Sequence, residues 1–101
     1  MCQAREDPVG RSGYVYILSL AAGILKIGHT TRHPEDRADE WRLNLLAYAR
    51  AEDSADAENR MHNYLSHYRK GSYELFELSF SEAISALEKV VGRATILRSP
   101  P

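Results

Sequence analysis

At residues 13–30 the chain reads GYVYILSLAAGILKIGHT, and this stretch restricts the possible folds more than any other. Tyr14, Tyr16 and Leu18 alternate with Val15 and Ile17, and Ile24, Lys26 and Gly28 alternate with Leu25 and Ile27. A period of two over runs this short marks half-buried strands, and a short link containing Gly23 joins them as an antiparallel hairpin. Val15, Ile17, Leu25 and Ile27 then share the core face, while Tyr16 and Lys26 lie on the other. Pairing Tyr16 directly with Lys26 also pairs Leu18 with Ile24 and leaves a tight turn around Ala21. This register sets a phenol beside an ammonium on the wet side of the sheet.

Pro34 fits a first helical turn, with Thr31 or His33 before it and Glu35 and Asp36 where the helix dipole favours acids. A helix is expected over residues 34–44, with Ala38, Trp41 and Leu45 at helical spacing, followed by a short strand LAYAR at 46–50. Asp53 or Ser54 caps a second helix reaching Arg69, whose buried stripe is Ala57, Met61, Leu65 and Tyr68 and whose C-cap is Gly71. YELFEL at 73–78 reads as a strand. Ser79 and Glu82 form a capping box for a last helix carrying Phe80, Ile84, Leu87 and Val91 and closed by Gly92. The order β-β-α-β-α-β-α describes an α+β domain around a small, largely antiparallel sheet.

A chain of 101 residues makes one domain, expected at 13–93 between a loose polar arm at 1–12 and a tail at 94–101. No apolar run approaches the roughly 20 residues of a membrane span, and the first residues lack the apolar core of a secretory signal. The single cysteine, Cys2, excludes an intrachain disulfide and a Cys-rich zinc framework. The expectation is a cytoplasmic protein with neither a membrane partner nor a disulfide-linked one. A net charge of −1 argues against binding polyanions through bulk charge. A nucleic-acid contact would need a local basic face, for which Arg32, Arg37, Arg42, Arg60, Arg69 and Lys70 are available, although all of them also read as ordinary solvated charges.

An ammonium beside Tyr16 would lower the phenol from its reference pKa of about 10 and make it a proton acceptor. The competing reading is an ordinary Tyr and Lys on the wet face of a sheet. For Arg37 the alternatives are a phosphate contact and a helix ion pair with Glu40, three residues on. Zinc is disfavoured: His62 and His67 are five apart, poorly aligned on one helix face, and no cysteine completes a tetrahedral set.

VY at 15–16 followed by KIG at 26–28 resembles the GIY-YIG nuclease superfamily, and the KIG second motif resembles its phage-related DNA-binding and nuclease branch. The resemblance continues through GHTTRHPEDRADEW at 28–41 and AENRMHNYLSHYRKGSYELFEL at 57–78. The chain departs from the pattern in having Lys26 where the second tyrosine usually stands, as some restriction enzymes and phage-related domains do. The resemblance implies a small three-stranded, largely antiparallel sheet flanked by helices. It also implies a metal-dependent endonuclease that hydrolyses DNA phosphodiester bonds, or else an inactive DNA-binding module of the same fold. By position, Tyr16 would help to activate water, Lys26 would tune it, Arg37 would stabilise charge and Glu58 would hold one Mg²⁺ or Mn²⁺. His29 would contact the tyrosine or a phosphate, or else stabilise the turn, and Tyr14, Arg32, His62 and Arg69 would lie on the substrate side.

Overall fold

The computed structural model describes residues 11–71 and 74–100. Nearly all of the proposed N-terminal arm, with Cys2, and Tyr73 of the expected fourth strand lie outside the described residues. The elements are β1 (Gly13–Ala21), β2 (Ile24–Thr30), α1 (Pro34–Trp41), β3 (Asn44–Ala51), α2 (Ser54–Tyr64), β4 (Leu75–Glu77), α3 (Phe80–Val90) and β5 (Ala94–Ile96), with a 3₁₀ turn at Ser66–Tyr68. The fold is α+β, but the sheet has five strands rather than three, in the order β4-β2-β1-β3-β5 with every pair antiparallel. The two outermost strands are three residues long, too short to show a periodicity, and β5 falls in the segment assigned to the tail.

The hairpin register is shifted by two residues from the expected one. β1 runs on to Ala21, which pairs with Ile24, so the turn consists of Ala22 and Gly23, with Gly23 in the left-handed region at φ 75°. Two-residue hairpin turns favour glycine for this reason. Tyr16 therefore pairs with Gly28, and Lys26 pairs with Leu18. A shift of two preserves the faces, and Val15, Ile17, Leu25 and Ile27 do share the core against α2 and α3.

The opposite face is covered as well. Tyr16, Leu18, Ala38 and Leu45 form a second cluster under α1, and Lys26 is buried on that side at 7% exposure instead of facing water. α1 stops at Trp41 because Arg42 adopts φ 56° and donates its N–H to the Ala38 and Asp39 carbonyls, which turns the chain into β3. Leu45 consequently belongs to a strand, and Trp41 is half-exposed instead of part of a core stripe. α2 has its cap at Asp53 and buries Ala57 and Met61, with Leu65 buried just beyond its end, but it stops at Tyr64. That leaves Tyr68 on the surface and Gly71 beyond the helix. The Ser79–Glu82 capping box is formed, and α3 buries Ala83, Ala86 and Leu87.

Candidate functional site

Tyr16 projects from the middle of β1 toward α1 and lies across its cross-strand partner Gly28. A Cβ at residue 28 would fall 2.6 Å from the Tyr16 Oη and 2.9 Å from Cζ, so the ring occupies the space of the missing side chain. The Arg37 guanidinium, from α1, acts on the phenol from above. Its Nη1 donates to Glu40 Oε1 at 3.2 Å, and its Nε is buried without a hydrogen-bond partner. Burial, followed by the negative charges of Glu74 and Glu58, pushes the Tyr16 hydroxyl up to about 12, with Arg37 pulling the other way. The phenol is therefore protonated at neutral pH.

The expected Tyr16–Lys26 pair is not formed. Lys26 Nζ donates to Glu74 Oε1 at 2.5 Å and lies 4.2 Å from the centre of the Trp41 ring. A nearly buried ammonium requires a carboxylate, and Glu74, just ahead of β4, supplies it.

The mostly buried Glu58 projects from α2 toward the end of β2. Its Oε1 accepts from His29 Nδ1 at 2.5 Å, and its Oε2 lies 3.5 Å from His62 Nε2. His62 Nε2 also donates to the Ile27 carbonyl at 2.8 Å, which requires the proton on that nitrogen. His29 thus contacts Glu58, and His62 is buried behind it. A carboxylate offers about four acceptor positions, of which His29 uses one, with the His62 ring beside another. The remainder suits one bond to a hard cation whose shell is completed by water and phosphate oxygens. No group of three or more His, Cys, Asp or Glu among the described residues is arranged as a closed metal cage.

The T5orf172 domain matches residues 13–91, from the first residue of β1 to just past α3. The chain belongs to the T5orf172 domain family. This is a phage-associated domain of the GIY-YIG-like, nuclease-related superfamily, and membership points to a nuclease-related or DNA-binding role. No curated protein and no solved structure matches the chain significantly.

In this T5orf172 domain the fold brings Tyr16, Arg37 and Glu58 together, with His29 and His62 attached to Glu58. Arg32 joins indirectly, donating to Glu40 Oε2 at 2.7 Å while Arg37 donates to Oε1. Tyr14 lies apart, in an aromatic trio with His33 and Tyr48 whose ring centres are 5.5 to 5.8 Å apart. Arg69 lies over the Phe76 ring beside β4. Glu74 and Trp41 are the residues that sequence reasoning did not single out for these roles, whereas the expected Arg37–Glu40 helix ion pair is formed. Only Glu74 had a readable signal, because a lysine in an apolar strand covered on both faces must find an acid.

Proposed function

We propose that this T5orf172 domain is a metal-dependent endonuclease that hydrolyses DNA phosphodiester bonds in the cytoplasm. The observation that supports it best is that Arg37 and Glu58 both act on the Tyr16 phenol, whose ring lies across Gly28. Glu58 would hold one Mg²⁺ or Mn²⁺. When bound, such a cation supplies positive charge at the scissile phosphate and beside the phenol, favouring ionisation of both water and tyrosine.

Once ionised, Tyr16 would take the proton of the attacking water at its Oη, its ring fixed against β2 by filling the space that a side chain at Gly28 would occupy. Arg37 would bring the exposed part of its guanidinium to a nonbridging phosphate oxygen as charge develops, its Nε remaining buried. His29 and His62 fix the Glu58 carboxylate from two sides, so its orientation does not have to be found during the reaction. Lys26 would act on the phenol through Glu74, whose charge it offsets, and Tyr14, Arg32 and Arg69 would supply outlying contacts to the DNA strand. The test is incubation with single- and double-stranded DNA, with Mg²⁺, Mn²⁺ or chelator. Cleavage should require the metal and disappear in Glu58→Gln and Glu58→Ala, and products no greater than those of the Glu58→Ala control would refute the reading.

One observation favours a second reading, a DNA-binding module that does not cut. The phenol is held protonated, and the Lys26 ammonium is already neutralised by Glu74. Salt-dependent DNA binding in the presence of Mg²⁺ without strand breakage would support it.

A further inference from the structure

We propose that Trp41 is a stacking platform for an unpaired nucleobase next to the phosphate site, which gives the domain a preference for single-stranded or locally opened DNA. The inference rests on the DNA reading above. Trp41 is the chain's only tryptophan and the last residue of α1, one turn after Arg37, so the two side chains share a helix ridge. A tryptophan on the helix that covers the second apolar cluster would ordinarily be drawn into it, yet it remains 52% exposed. The Lys26 ammonium lies over the indole, 4.2 Å from the ring centre.

The ring is therefore packed on a cation that is itself held by Glu74, and about half of the side chain is left exposed. An aromatic ring packed on Lys26 and one helical turn from Arg37 matches the way proteins hold single strands: cations track the phosphates while bases stack on rings. Bases inside a duplex are already stacked on one another and cannot lie flat on the indole. A base that has left the helix can.

Emission from the 101-residue chain, excited at the red edge where tyrosine does not absorb, reports on Trp41 alone. In the presence of chelator, the protein is titrated with oligo-dT, with an abasic strand of equal length and with a hairpin duplex, while the anisotropy of labelled DNA reports binding independently. Oligo-dT should quench the emission and bind on the order of ten-fold more tightly than the abasic strand. Trp41→Phe should keep that preference and Trp41→Leu should lose it, with the circular dichroism melts of both variants confirming that they fold. Quenching by the abasic strand equal to that by oligo-dT, or an unchanged preference in Trp41→Leu, overturns the proposal. Binding without quenching overturns the stacking role alone, whereas no anisotropy change with any DNA overturns the DNA reading together with it.

Discussion

Replacing Gly28 by alanine adds one methyl where the Tyr16 ring crosses β2. That carbon would stand 2.6 Å from Oη, 2.9 Å from Cζ and 3.3 Å from Cε1, all inside van der Waals contact, so the ring must move. It has little freedom to do so, since Tyr16 is 2% exposed and packed with Leu18, Ala38, Leu45 and Tyr48. Overfilling a packed site costs about 1–3 kcal/mol. The backbone of Gly28 is outside the left-handed region, so alanine is conformationally acceptable there and recovers about 0.5–1 kcal/mol by restricting the unfolded chain. The net expectation is a loss of about 1–2 kcal/mol, or roughly 4–16 °C in Tm for a domain of this size. Urea unfolding measures it, and a double-mutant cycle with Tyr16→Leu isolates the contact, because leucine cannot reach across the strand. In the Tyr16→Leu background, Gly28→Ala should be neutral or slightly stabilising. Equal destabilisation in both backgrounds would show that the methyl meets something other than the phenol and would refute this account of the glycine.

Two further predictions concern the charges around that ring. Alkaline absorbance titration of the wild type minus Tyr16→Phe should show one tyrosine with a midpoint of about 12, raised chiefly by burial. The folded protein then keeps a proton that the unfolded chain releases near pH 10, so this contribution to stability is intact below pH 10 and is lost as pH rises through about 12. Tyr16→Phe should accordingly show a flatter alkaline fall in stability, and a midpoint at or below 10 would refute the burial argument. At the ion pair, Glu74→Gln strands a nearly buried ammonium and should cost about 2 kcal/mol, less than a fully buried pair because Glu74 is partly exposed. Lys26→Met keeps the stem and its contact with Trp41 and should cost less than about 1 kcal/mol. The reverse order in urea midpoints would refute the pairing.

Local chemistry made much of the fold readable. The first two strands, the Asp53 cap and the Ser79–Glu82 box each depend on a few adjacent residues, and all are present. The errors lie where a distant partner decides. β4 and β5 are strands because β2 and β3 offer them edges, and three residues carry no periodicity of their own. α1 ends early because Arg42 takes a left-handed conformation that arginine does not advertise. Trp41 carries the hydrophobicity of a core residue, but the helix ends beneath it and leaves it at the rim.

The site shows the same division more sharply. Strand alternation has a period of two, so the hairpin's two-residue displacement left every side chain on its expected face and gave Tyr16 and Lys26 new neighbours. Face is what hydrophobic pattern encodes, but pairing depends on the turn, and the site's chemistry depends on pairing. With Gly28 opposite it, Tyr16 lays its ring in the space of the missing side chain rather than beside Lys26. Its acidity is instead governed by burial and by Glu74, Arg37 and Glu58, which arrive from three other segments. Lys26, moved along the strand, meets Glu74 and Trp41 and becomes the support for an aromatic plane. The lysine that stands where the superfamily pattern has a tyrosine thus does its structural work away from the phenol, and its effect on Tyr16 runs through Glu74. Releasing Lys26 from Glu74 would leave that carboxylate's charge unopposed beside the phenol and hold it protonated more firmly, whereas neutralising Glu74 would ease its ionisation.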